Sequence, residues 1–206
     1  MYTKLFAFLA VVAVAYASSC TDGTNNVIDI GDVSNGAYNA HFQNVVAQTY
    51  NSDGSPSCYK GAASLKLPGV LKLVSGTIVV KTSMNLINDA NAKMTLKKDS
   101  FLIGKICDDG KSKNALIPSS DCSIDICSQS YETSICKLME TAGTHDLATL
   151  EKTLGFSATI NLPALPSSIN GIIKGQWQAG LDLINAGQTV ADIKLPSNEK
   201  YISIEQ

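Results

Sequence analysis

The segment KGQWQAGLDLINAGQTVADIKL, residues 174–195, decides the fold. Its apolar side chains alternate with polar ones on both sides of a short turn, a pattern typical of two neighbouring β-strands that share one apolar face. Gly187 lies in the turn and tolerates the positive φ that a tight hairpin requires. The segment therefore predicts a β-hairpin whose apolar face covers either an ordinary side-chain core or an open space.

Similar alternation recurs in the first half of the chain. Strands are predicted over 26–33 and 41–50, and a third over 72–87, where Ile78, Val80, Met84 and Leu86 share one face. Residues 93–97 follow as a strand that carries Met94 and Leu96 on one side. A turn at Lys98-Asp99 then leads into a strand over 100–107.

The second half is less uniform. Residues 128–143 and 144–154 are compatible with either strand or helix, whereas 156–162 alternates as a strand and ends at a proline. With the hairpin of 174–195, the chain carries about seven to nine short strands with turns between them. We therefore predict an all-β fold, an antiparallel β-sandwich with a disulfide-rich loop region and one short helix.

The first residues predict export. Lys4 precedes an apolar run over 5–15, which is too short to span a bilayer, and Ala15-Tyr16-Ala17 is a small-x-small cleavage pattern. We interpret residues 1–17 as a signal peptide and 18–206 as one domain, secreted or lysosomal.

Six cysteines follow the signal peptide, an even number in an exported chain, and this predicts disulfides. Four of them lie between 107 and 136 and would staple a loop-rich region, with every pairing left open. Zinc is disfavoured because no histidine lies close to Cys122 and Cys127. The six candidates are Cys20, Cys58, Cys107, Cys122, Cys127 and Cys136.

Composition argues against several functions. The formal net charge of −2 disfavours nucleic acid as a partner. All 16 basic residues are lysines, so the bidentate guanidinium used for phosphate or carboxylate is missing.

The two histidines, His41 and His145, are expected to be surface or hydrogen-bonded residues, and the sequence carries no G-x-S-x-G or H-E-x-x-H motif. We expect no catalytic residue, no metal and no cofactor.

Two apolar loops remain, over 67–74 and 162–173, each punctuated by proline and glycine. They either plug the ends of the sandwich or border an apolar cavity or a membrane contact.

The order of these features resembles the ML lipid-recognition domain, in its GM2 ganglioside activator-like branch. The resemblance rests on the early Cys20-Thr21-Asp22-Gly23, on the strands of 76–107, on the cysteine-rich loop and on the segment 160–196 with its G-x-W and I-K-L strands. It covers most of residues 18–206 by order and pattern. Family members commonly bridge the first cysteine to one in the last strand. Asp192 stands at that position here, which leaves Cys58 as the available partner of Cys20.

The resemblance implies a cup-like sandwich that holds lipid tails and transfers or presents a lipid to a membrane or to a lipid hydrolase. Bringing an acyl tail of about 16 carbons out of water is worth on the order of 13 kcal/mol, so an apolar lining suffices to hold it. The alternatives are a secreted interaction protein with a filled core and, third, a hydrolase that uses His41 or His145. Candidates for the lipid-cavity lining are Ile78, Val80, Met84, Leu86, Met94, Leu96, Trp177, Leu181 and Leu183.

Overall fold

The computed structural model describes residues 20–87, 89–127, 134–155, 158–162, 164, 170–198 and 200–205. The predicted signal peptide, Phe156 and most of 163–169 lie outside these ranges. The strands are β1 Val27–Asp32, β2 Ala40–Asn51, β3 Cys58–Tyr59, β4 Ala62–Lys66, β5 Gly69–Val80, β6 Ala90–Lys98, β7 Lys105–Asp108, β8 Lys111–Ser112, β9 Ser123–Asp125, β10 Gly143–Asp146, β11 Thr159–Leu162, β12 Gly175–Asn185, β13 Gln188–Leu195 and β14 Ile202–Glu205. The helices are α1 Ser134–Glu140, α2 Leu147–Leu154 and α3 Asn170–Ile173, with a 3₁₀ turn at Ser119–Cys122.

The first layer is organised around β5. Strand β2 pairs along one edge of β5, while β10 and β11 pair with different parts of the other edge. Strand β1 then pairs with β2, and all these pairs are antiparallel. The antiparallel pairing that the sequence predicts is therefore observed throughout this layer.

The second layer is organised around β12. Leu181 in the middle of β12 lies opposite Ile193 of β13 on one side and Met94 of β6 on the other. Strand β6 also pairs with β7 and β9, and β12 pairs with β14. Strand β14 runs parallel to β4, so this layer is mixed rather than purely antiparallel.

Strand β1 joins the two layers along one edge. Its residues from Val27 to Ile30 pair with β2, whereas Gly31 and Asp32 pair with β13. The result is a curled sheet whose two halves face each other, and the predicted mostly-β, sandwich-like class is confirmed. Strand β1 thus brings one edge of each layer together, and the inner faces of the two layers stand opposite each other across the interior.

The hairpin predicted over 174–195 is confirmed. Ala186 and Gly187 form its turn with φ of 48° and 77°, which are the two positive values that a type I′ turn needs. On β13 the apolar Ala191 and Ile193 face inward, while Asp192 lies on the opposite face as the strand period requires.

Two predicted strands are longer than the observed ones. Strand β5 ends at Val80 because Asn39 takes over the hydrogen bonding: its carbonyl oxygen accepts from the Lys81 amide at 2.8 Å and its Oδ1 from Thr82 at 2.9 Å. Met84 and Leu86 therefore follow the strand instead of lying within it. The predicted strand over 100–107 is also wrong in its first half, because residues 99–104 form a turn and β7 begins only at Lys105.

The ambiguous segments resolve into both structures. Ile135, Leu138 and Met139 lie on the buried side of α1 at helical spacing. Residues 143–146 form β10, and α2 follows with Leu147 and Leu150 buried. The chain therefore contains more helix than the single short helix expected.

All six cysteines form disulfides, as predicted: Cys20–Cys58, Cys107–Cys122 and Cys127–Cys136. The first matches the expectation that Cys58 is the available partner of Cys20. Three disulfides suit an oxidising setting, extracellular or lysosomal.

The buried apolar residues form two clusters. The larger cluster lies between the layers and includes residues such as Phe42, Leu73 and Leu183. The smaller cluster surrounds Trp177 and includes Ile106 and Cys107. Strand β12 contributes to both, so one apolar strand face serves two different environments.

Candidate functional site

An apolar cavity of about 410 Å³ lies between the two layers. This volume falls within the range of about 300–1,000 Å³ typical of ligand pockets. The lining is almost entirely aliphatic or aromatic and is contributed by both layers and by α1. The lining residues are Ile30, Phe42, Leu73, Ala92, Ser123, Ile124, Asp125, Ile126, Ile135, Met139, Ile160, Asn161, Leu181, Leu183, Ala191 and Ile193.

Small side chains on one wall leave this space open. Ala92 of β6 and Ala191 of β13 border the cavity on the second layer, and both are buried. The facing wall carries larger side chains, among them Phe42 and Leu73 of the first layer. Because alanine reaches only a short distance from the backbone, these two positions do not extend far enough to meet the opposite wall.

A disulfide fixes the side wall. Cys127 follows Ile126 directly, and Cys136 follows Ile135, and these two isoleucines both border the cavity. The bridge therefore ties the segment after β9 to α1. This covalent link opposes collapse of a wall that has few apolar neighbours on its inner side.

The cavity reaches solvent near β9 and β11. Asp125 and Asn161 both border it and are exposed, and Ile124 beside them is also exposed. Among the described lining residues, none is basic. A hydrocarbon tail would therefore be held by apolar contact, while a polar end would remain near the opening.

Two of the nine predicted lining residues border this cavity. Leu181 and Leu183 face it from β12, as the alternation of the hairpin predicts. Ile78, Val80 and Leu86 are instead buried in the larger cluster, where neighbouring side chains surround them.

The remaining four predicted residues lie elsewhere. Met84 packs against the larger cluster from outside β5, and Met94 is half-buried on β6. Leu96 packs against the smaller cluster, whose largest side chain is Trp177. Trp177 donates its Nε1 hydrogen to the Ile173 carbonyl oxygen and is 1% exposed.

The sequence interpretation missed much of the wall. Ile135 and Met139 could have been identified from the sequence, since their four-residue spacing places both on one face of a helix. Ile160, Ala191 and Ile193 lie on faces that alternation had identified as apolar. Phe42 was missed because the two-residue period of β2 breaks just after it, at Asn44, where the pairing with β5 shifts register.

A second, polar groove of about 810 Å³ lies against strands β1 and β2. Ile30 and Phe42 border both spaces, so the groove and the cavity approach each other where β1 leaves β2. Most of the groove's lining is polar and includes Asp29, Asp32 and His41. We assign the lipid hypothesis to the apolar cavity, because a hydrocarbon tail gains nothing from polar walls.

Each of the two histidines has a polar contact within the described residues. His41 is 9% exposed, its Nε2 lies 3.1 Å from Nε2 of Gln43, and its Nδ1 has no hydrogen-bond partner there. His145 Nε2 lies 2.8 Å from the carbonyl oxygen of Thr141. These contacts pair neither ring with a nucleophile.

A pair of carboxylates marks the outer face of the hairpin. Asp192 lies directly opposite Asp182 in the pairing of β12 with β13. Burial, together with repulsion from Asp182 and Asp32, raises the pKa of Asp192 to about 6. Burial, with repulsion from Asp109, also raises the pKa of Asp182 against the opposing attraction of Lys93. Strands β12 and β13, which line the cavity with one face, therefore carry carboxyl groups with raised pKa values on the other face.

The described ranges contain no group of three or more His, Cys, Asp or Glu placed to hold a metal ion. Across the same residues, no helix is long and apolar enough to cross a membrane.

No known family profile matches the chain, and no curated protein matches it.

Proposed function

We propose that the protein is a non-enzymatic lipid-binding protein that holds a hydrocarbon tail in the cavity between the two layers. It transfers or presents the lipid to a membrane or to a lipid hydrolase, in the manner of an ML lipid-recognition domain. The observation that supports this is the apolar cavity of about 410 Å³ with an opening at β9 and β11. We further propose that it acts after export, in the extracellular or lysosomal space.

The size of the cavity suits a single tail. An apolar cavity of about 150 Å³ takes up one molecule of benzene, C6H6. By that proportion a cavity of about 410 Å³ accommodates on the order of sixteen carbons. A fatty acid, or one chain of a larger lipid, fits this estimate.

The chemistry of the lining favours tails over head groups. Burying each methylene contributes about 0.8 kcal/mol, and this gain does not depend on the identity of the head group. Asp125 and Asn161 at the opening offer polar contacts without a basic side chain. We therefore expect selectivity for tail length rather than for an anionic head group.

The test is binding of a fluorescent fatty acid by the purified protein, together with organic extraction and mass analysis of what co-purifies. Wild type is expected to take up the probe and to yield lipid on extraction. Ala191→Phe places a ring in the cavity, because Ala191 is buried and borders it. We expect this variant to bind the probe at least tenfold more weakly, with a free energy of unfolding equal to or above that of wild type.

Ala148→Phe is the matched control, since Ala148 is exposed on α2 and the substitution adds the same ring away from the cavity. It should bind like wild type. A lipid-free extract and no probe uptake by wild type would reject the proposal and favour an interaction protein with a filled core. Equal binding by Ala191→Phe and wild type would show that the tail lies elsewhere.

A further inference from the structure

The turn that connects β6 to β7, residues 99–104, carries two adjacent apolar side chains entirely in solvent. Phe101 is 104% exposed and Leu102 is 92% exposed. Single exposed apolar residues are common on protein surfaces, but neighbouring large ones mark a site of contact with a partner. The described part of the fold leaves both of these side chains uncovered.

Backbone hydrogen bonds fix the conformation of this turn. The Lys98 amide donates to the carbonyl oxygen of Gly104 at 2.8 Å, and the Gly104 amide donates to that of Ser100 at 2.9 Å. The Asp99 amide donates to the Gln176 carbonyl oxygen on β12 at 2.8 Å. Phe101 and Leu102 therefore extend from a hydrogen-bonded turn that is anchored to the second layer.

The side chain of Lys98 strengthens the base of the turn. Its Nζ donates to the Ile172 carbonyl oxygen at 2.5 Å and lies 5.4 Å from the centroid of the Trp177 ring. The disulfide Cys107–Cys122 follows at the end of β7. Both contacts connect the base of the turn to the smaller apolar cluster.

The charge around the turn is opposite to that of the whole chain. Residues 93–113 contain six lysines and three aspartates, although the formal net charge of the protein is −2. Lys97 is exposed and Lys105 is half exposed, so both flank the turn within reach of an external surface. Asp108 accepts from Lys105 at 2.8 Å and lies 3.6 Å from Lys113, which partly offsets the positive charge on one side.

We propose that the β6–β7 turn docks the protein on an anionic bilayer surface, with Phe101 and Leu102 entering the boundary between head groups and acyl chains. Lys97 and Lys105 then face the anionic head groups. A projecting turn of six residues is too small for a stable protein interface, which requires about 800 Å² on each partner. A bilayer needs no matching groove, because apolar side chains insert between its lipids. The proposal goes beyond the tail cavity and does not depend on it.

The experiment is co-sedimentation of the mature protein with vesicles of phosphatidylcholine containing phosphatidylserine, and with vesicles of phosphatidylcholine alone. Wild type should bind the anionic vesicles, and more weakly at high salt. The double variant Phe101→Ser/Leu102→Ser should bind them at least tenfold more weakly. It should fold normally, because both side chains are fully exposed.

Val33→Ser/Ile87→Ser is the matched control, since it removes two other exposed apolar side chains. It should bind within twofold of wild type, and Lys97→Gln/Lys105→Gln should lose binding to anionic vesicles only. Fatty-acid uptake from solution by the turn variant should equal that of wild type, which separates this proposal from the tail cavity.

The proposal is overturned if wild type ignores both vesicle types, or if the turn variant and the control variant behave alike. Equal binding to phosphatidylcholine alone overturns the assignment to an anionic surface. A wild-type dimer in sedimentation analysis that the turn variant abolishes, without vesicle binding, would assign the turn to a second copy of the chain instead.

Discussion

The two ends of β12 present the same apolar face to different surroundings. At one end Trp177 fills the smaller cluster, with Ile106, Ile173 and the Cys107–Cys122 bridge packed around it. At the other end Leu181 and Leu183 face the cavity, where the neighbouring wall residues include Ala191. Alternation therefore determines which face is apolar, whereas side-chain volume across the interior determines whether that face is packed or borders a cavity.

The largest expected difference between the two ends is the cost of truncation. Trp177→Ala should lower the free energy of unfolding by about 3–5 kcal/mol, because it empties a filled site and removes the hydrogen bond to Ile173. Leu183→Ala should cost nearer to about 2 kcal/mol, the low end for leucine, because Leu183 already borders empty space. Denaturant unfolding measures both, and equal costs at the two sites would contradict the distinction between a filled end and an open end.

The two bridges in the cysteine-rich region should separate stability from binding. Cys107→Ala/Cys122→Ala removes a bridge with a sequence separation of 15 from the filled cluster and should cost about 3 kcal/mol, with tail binding kept. Cys127→Ala/Cys136→Ala opens a bridge with a sequence separation of 9. It should cost less stability but weaken fatty-acid binding severalfold, because it releases the wall that carries Ile126 and Ile135.

Unfolding and probe titration of both double variants provide the check. If removal of the Cys127–Cys136 bridge left binding untouched while removal of Cys107–Cys122 abolished it, the roles assigned to the two regions would be reversed.

The smallest expected effect is that of pH on the open end. The pKa of Asp192 is about 6 in the folded protein against an ordinary value of 3.8. The folded state therefore holds this proton more tightly than the unfolded state, and its contribution to stability increases as pH falls from about 6 towards 4. Above pH 6 the ionised carboxylate costs on the order of 1 kcal/mol once solvent screening is allowed for.

Asp192→Asn should consequently be more stable than wild type at pH 7.5 and should show a shallower rise in stability on acidification. Thermal unfolding across pH 4–8 provides the measurement. Superimposable pH profiles for variant and wild type would remove Asp192 as the source of the effect.

The sequence predicts the strand pattern better than the cavity. The hairpin of 174–195 and the apolar side of β13 follow from a two-residue period and the turn chemistry of Gly187. The ends of the strands are harder to predict, since the end of β5 depends on Asn39, which is far away in sequence. The same limit applies to the turn at 99–104, whose hydrogen bond to Gln176 is also a long-range contact.

The residues that line the cavity are harder still to predict from the sequence, because the lining depends on which apolar faces stand opposite each other. Leu181 could be identified from its own strand, but Phe42 and Ala92 border the cavity only because β1 curls the two layers together. Ile78 and Val80 satisfy the same alternation and are buried in packed surroundings. A local period cannot distinguish these cases.

A crystal structure of the protein with a brominated fatty acid tests the open interior most directly. We expect bromine density between the layers, bordered by Leu181 and Leu183 on one wall and by Ile160 on the other, with the carboxyl end in solvent at the opening. Side chains of the two layers in mutual contact throughout this space, with bromine absent or bound only on the surface, would contradict the proposal.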